Sequence, residues 1–230
     1  MTFDLWPTTR ELLDVLTAEV ARCGGSVSNA FDDGTCLYAR AVLPATREVA
    51  RGDRLQGGVA LRANEEGVCV HPYVFRQVCS NGAIFAQVVG TRTILRDECE
   101  FEVPPQVAEA VAECCRDEAF AEAAGQMRSA MTVHANMMLN LAPFLSRLPA
   151  EHVQRFLRDV MAEFRDGKDR TRYGLMNAVT ATARRTSDPE LRWRMEELGG
   201  AVAALTPDPV RPHGTRAVLP APIEAELTTA

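Results

Sequence analysis

The chain of 230 residues predicts an α+β fold: an N-terminal helix, an antiparallel β-sheet of five or six strands, then a helical C-terminal half and a flexible Pro-rich tail. Two observations carry this prediction. Short alternating or β-branched runs broken by Gly and Asn-Gly turns crowd residues 26–96, whereas apolar residues at helical spacing fill residues 104–204. Strands are thus segregated from helices along the chain, which is the α+β pattern and not the βαβ alternation of a parallel sheet. The expected organisation is a β-rich half with its leading helix over 1–103, a helical half packed on it over 104–205, and a tail over 206–230.

Residues 9–22 carry Leu12, Leu13, Leu16 and Val20 at helical spacing, with Thr8 or Thr9 as cap and Gly24-Gly25 as the stop. Ser26 to Phe31 and Thr35 to Leu43 read as two strands joined by Asp32-Asp33-Gly34. Residues 44–56 are polar and contain Gly52-Asp53, so a loop or short helix is expected there. Gly57 to Ala63 and Val68 to His71 read as strands around the turn Asn64–Gly67. Pro72, whose fixed φ suits a first helical position, is expected to open a short helical turn through Cys79. Asn81-Gly82 is expected to close that turn with positive φ. Ala83 to Val89 and Thr91 to Leu95 are again β-like.

Beyond Pro104, residues 105–129, 130–147, 150–166, 170–186 and 188–204 show helical periodicity, punctuated by Pro143, Pro149, Gly167 and Pro189. Asp188 before Pro189 is a good helix start. From Thr206 the chain holds five prolines without periodicity, the pattern of a flexible segment. No run is long and apolar enough to span a membrane. The N-terminus lacks the basic start and apolar stretch of a secretory signal, so a cytoplasmic protein with no membrane partner is expected.

Several chemistries are poorly supported. Seven cysteines are too odd a count to pair completely within one chain, and none forms a Cys-x-x-Cys pair. They read as reduced thiols, not as disulfides or zinc ligands. His134 and His152 have no second ligand at helical spacing, so no metal and no cofactor are expected. No Gly-rich segment ends in Gly-Lys-Ser/Thr. A Cys79 nucleophile would need His71 as its base, and no further residue completes such a constellation. We therefore expect no catalytic residue, and a protein that is not an enzyme.

The charge is −6 overall but uneven. Residues 40–96 hold eight arginines against four acids, and residues 97–166 six arginines against thirteen acids. A local arginine face could attract phosphate even on an acidic protein.

Two elements resemble a known family. Phe75-Arg76-Gln77-Val78-Cys79-Ser80-Asn81-Gly82 resembles the Arg-x-x-Cys-x-Asn-Gly element of a widespread prokaryotic family, catalogued as domain of unknown function 932 and often labelled phage/plasmid-like. Tyr173-Gly174-Leu175-Met176-Asn177-Ala178-Val179-Thr180 is similar to its later Asn-Ala-x-Thr helix. The resemblance spans roughly residues 40–205. It implies a phage or plasmid setting and brings no established activity.

The leading expectation is a non-enzymatic nucleic-acid-binding protein of a mobile element, acting on single-stranded DNA. Arg62, Arg76, Arg92 and Arg96 would neutralise phosphates, and Tyr73 and Phe75 would stack on bases. Cys79, Asn81 and Gly82 would shape the turn. Asn177 and Thr180 would pin their helix to the sheet or to another subunit. The alternative is an oligomeric protein-interaction or assembly module. The acidic helical half and the group Met127, Met131, Met137 and Met138, an adaptable partner surface if exposed, favour it.

Overall fold

A computed structural model describes residues 6–77, 81–99 and 101–205. Cys79 and the tail over 206–230 lie outside the described residues. The chain runs through helix α1 (Thr9–Arg22), strands β1 (Ser26–Asp32), β2 (Leu37–Ala50), β3 (Asp53–Ala63), β4 (Gly67–Arg76), β5 (Asn81–Ile84) and β6 (Arg92–Leu95). Helices α2 (Val103–Cys114), α3 (Asp117–Ala130), α4 (Met137–Leu141), α5 (Ala150–Asp166), α6 (Arg172–Arg184) and α7 (Pro189–Ala204) follow. The α+β expectation is met: a leading helix, a six-stranded antiparallel sheet, then helices. No described helix is long and apolar enough to cross a membrane.

Local chemistry sets the element ends. Thr8 and Glu11 form a reciprocal capping box at α1, and Gly24, at φ 74°, lets the chain leave the helix in a left-handed conformation. Asp188 caps α7 by accepting from the backbone of Glu190 and Leu191.

The sheet order is β1-β2-β3-β4-β5, and β6 pairs the opposite end of β4 from β5. Three sequence expectations change here. Residues 44–56 are no loop: β2 and β3 continue as a long hairpin, because bulges in β2 absorb the irregular pattern. Pro72 starts no helical turn but sits inside β4, opposite Val59, where its carbonyl accepts from Phe85 N–H. Asn81-Gly82 is no positive-φ turn; both residues belong to β5, with Gly82 opposite Phe75 and Asn81 opposite Arg76. Glycine is needed at 82 for space, since a Cβ there would overlap the Tyr73 hydroxyl. The strand expected over 83–89 stops at Ile84, and residues 130–147 form only the five-residue α4 and a 3₁₀ segment.

Both faces of the sheet are covered. On one, Leu37, Ala39, Ala41, Val59, Leu61, Val68 and Val70 pack against α1 and α2 through Leu12, Leu16, Val107 and Val111. On the other, Tyr38, Ala60, Cys69 and Tyr73 meet Trp193 of α7. A third cluster joins Leu55, Val74, Ala83 and Phe85 to α3, α5, α6 and α7. The helical half thereby wraps the β5 side of the sheet. β1 lies at the opposite edge and is exposed at six of its seven residues.

Candidate functional site

The arginines expected to contact phosphate are engaged within the fold and do not gather beside the two rings. Arg40 is 3% exposed and donates from Nε to Glu196 at 2.6 Å, and Arg192 donates to the other oxygen of Glu196 at 2.8 Å. Arg62 donates to Glu190 at 3.2 Å and lies over the Trp193 ring. Arg92 pairs with Glu109 at 2.8 Å, at the opposite end of β4 from β5. Arg96 lies over Trp6, 5.5 Å from the ring centroid. Arg76 is held by Asp53, Nε to Oδ1 at 2.8 Å and Nη2 to Oδ2 at 2.8 Å. Tyr73, expected to stack on bases, is 4% exposed under α7, and Phe75 packs half-buried against the same cluster. The expected patch of Arg62, Arg76, Arg92 and Arg96 beside two open rings is therefore not what the fold builds. Helices of the acidic half supply carboxylates to Arg62 and Arg92, and β3 supplies one to Arg76.

The two sequence elements nonetheless meet. An open cleft of about 590 Å³ lies between the tip of the β2–β3 hairpin, the ends of β4 and β5, and the α5–α6 connection. It is lined by Asp53, Arg76 and Asn81 from the sheet and by Tyr173, Gly174 and Asn177 from α6. On its sheet side Asp53 accepts from both Arg76 nitrogens and from Tyr173 Oη at 2.6 Å, while the Arg76 guanidinium stands 5.4 Å from the Tyr173 ring centroid. Sequence reading missed Asp53 and the role of Tyr173. Strand alternation held the signal: Asp53 shares its face with Leu55, Val59 and Leu61, so a β3 beginning at 53 turns its carboxylate inward.

Each wall has its own construction. Thr171 caps α6 by accepting from Gly174 N–H, and Asp169 fixes the connection by accepting from the Thr171 backbone and hydroxyl. A side chain at 174 would overlap the Asp169 carbonyl, so glycine lets the connection lie against the first turn of α6. Asn81 is 7% exposed, and its side chain makes no hydrogen bond to a described residue. The Asn177 Oδ1 is buried with no hydrogen-bond partner. Among the described residues Asn177 makes no pinning bond to the sheet, and it lines the cleft instead. Thr180 instead donates to the Asn177 carbonyl at 3.2 Å and packs against Gly199 of α7.

A second polar group is sealed beneath α7. His71 is 4% exposed, its Nε2 lies 3.5 Å from Glu197, and its Nδ1 has no hydrogen-bond partner. Burial, with Arg62 nearby, pushes its pKa down to about 4. Burial likewise raises that of Glu197. Neither group lines the large cleft. Among the described residues, no three His, Cys, Asp or Glu side chains gather in a way that could hold a metal ion. The six described cysteines are free thiols.

No family model, curated protein or solved structure matches this chain.

Proposed function

We propose that this protein is a non-enzymatic protein-interaction module that assembles with copies of itself. The observation that carries the reading is the state of the sheet. Both faces are covered by helices and Arg40, Arg62 and Arg76 are paired with carboxylates from within, while β1 presents a nearly fully exposed edge. An edge strand displays unpaired backbone N–H and C=O groups and is a ready template for another strand.

A second copy is the occupant that fits. Ser26 to Phe31 carries no charge, so a second β1 added antiparallel to this edge meets no like charge over that segment. Phe31, 42% exposed, adds a large apolar side chain to that edge. Ser28, the bulged residue, is engaged at Arg40 O and leaves Asn29 to Asp32 as the regular segment. The methionine group adds a smaller apolar surface: Met127 is in the core, but Met138 and Leu139 are 49% and 71% exposed.

The setting we infer is a phage- or plasmid-type element in a cytoplasmic, reducing compartment. Support comes from the two family-like elements, which converge on one cleft, and from the free thiols. The test is light scattering coupled to size exclusion. A discrete oligomer that Phe31→Lys converts to monomer is expected, because a charge on the edge opposes strand addition. A chain that stays monomeric at high concentration, yet shifts single-stranded DNA with steep salt dependence, would restore the polynucleotide reading.

A further inference from the structure

The cleft at Asp53, Arg76 and Tyr173 has features that neither self-assembly nor stability requires. Two side-chain amides from segments nearly a hundred residues apart line it, and neither is hydrogen-bonded to a described residue. Asn81 is more than nine-tenths buried with no side-chain hydrogen bond to a described residue, and Asn177 Oδ1 is buried and unpaired. Buried amide groups are expensive to leave unmade, so they mark where a ligand with both donors and acceptors would be gripped. The floor is apolar, built from Met131, Phe164, Ala178 and Ala181.

The electrostatics of the wall select the sign. Glu163, Asp166 and Asp169 face the cleft from the end of α5 and its connection to α6, against a single Lys168. Glu163 is shared with Arg185 at 2.6 Å and Asp169 is engaged by Thr171, whereas exposed Asp166 has no partner among the described residues. Arg76 adds no net charge, because Asp53 neutralises it in a bidentate pair. The end of α5 is also the negative pole of that helix, although Arg170 covers part of it by donating to the carbonyls of Phe164, Arg165 and Gly167. Acceptors at the rim, an apolar floor and two amides at the inner wall match one chemistry. It is an extended peptide whose backbone is held by the amides, and whose arginine or lysine lays its aliphatic stem on the floor and its cation against Asp166.

We propose that this cleft is a docking site for a basic, extended peptide segment of a partner protein. The proposal rests on the interaction-module reading for its biology but uses a different surface, so the two fail separately. Loss of self-assembly in Phe31→Lys leaves peptide binding intact, and loss of peptide binding leaves the oligomer intact.

The experiment titrates the full chain with fluorescently labelled acetylated pentapeptides, four alanines around a central arginine, citrulline or glutamate, followed by anisotropy at 50 mM salt. The arginine peptide is expected to bind, and the citrulline and glutamate peptides at least about tenfold more weakly, the size of one charge-assisted hydrogen bond. Asp166→Lys, at an exposed site that cannot unfold the protein by cavity formation, should weaken the arginine peptide by about tenfold or more. Asn177→Ala should weaken all three peptides together, since it removes a backbone contact. Agmatine provides the decisive control. If this free guanidinium amine competes as strongly as the peptide, or if the three peptides bind alike, peptide recognition is overturned. An oligonucleotide displacing the peptide, with its own binding lost in Lys168→Glu, would also overturn it.

Discussion

Two polar networks in this protein use the same side-chain types to opposite ends. Beneath α7, Arg40 and Glu196 form a pair sealed from water at 3% and 1% exposure, with the partly open Arg192 on the other Glu196 oxygen. In the cleft, Arg76, Asp53 and Tyr173 form an equally well-bonded group, but Arg76 keeps 22% of its side chain open. A sealed pair contributes little net stability, since desolvation offsets attraction, yet removing one partner is severe. An open pair can be re-solvated when broken. The difference separates a network that orients α7 on the sheet from one that lines a surface where a ligand can arrive.

The largest expected effect breaks the sealed network. Glu196→Ala leaves Arg40 buried without its carboxylate and should cost about 3–5 kcal/mol in urea unfolding. A loss below about 1 kcal/mol would mean that water reaches Arg40 and that the contrast is false. Next is acid sensitivity. His71 stays neutral in the fold down to pH about 4, while in the unfolded chain it takes up a proton near its ordinary value of 6.5. Between those values the unfolded state binds more protons, so stability falls as pH drops from about 6.5 toward 4, by up to about 3 kcal/mol. Glu197, raised by burial, works in the opposite sense and blunts the slope. His71→Gln should flatten the stability–pH profile in that window, and an unchanged slope would assign it to other groups.

Smaller effects belong to the cleft. Asp53→Ala should cost about 2 kcal/mol, less than Glu196→Ala, because water can reach the Arg76 it abandons. Tyr173→Phe removes one hydrogen bond to Asp53 and should cost about 1 kcal/mol by thermal or urea unfolding, with the sheet intact by circular dichroism. If the two cleft variants match Glu196→Ala in cost, the cleft network is as structural as the sealed one.

Much of the architecture was legible in advance. The helix α1 with its Thr8–Glu11 box, the hairpin at Asp32–Gly34, and the Asp188 start of α7 follow from capping and turn chemistry that acts within a few residues. Legibility failed where distant packing outweighed local preference. Pro72 suits a helix start, but β3 on one side and Phe85 on the other hold it in a strand. Gly82 read as a turn glycine, but it is there because the Tyr73 ring needs the space. For the site, Arg76, Asn81 and Asn177 could be singled out from sequence, while Asp53 was lost in what read as a loop.

By itself the sequence determined the class of fold, the segregation of strands from helices and the two elements that matter most, because periodicity and caps are local properties of the chain. Only the tertiary structure decided which arginine meets which carboxylate, that both faces of the sheet are covered, and that Arg76 and Asn81 share one cleft with Tyr173 and Asn177. Those outcomes depend on how α6 and α7 seat on the sheet, and charge pairing across 128 or 156 residues leaves no trace in spacing until packing brings the partners together.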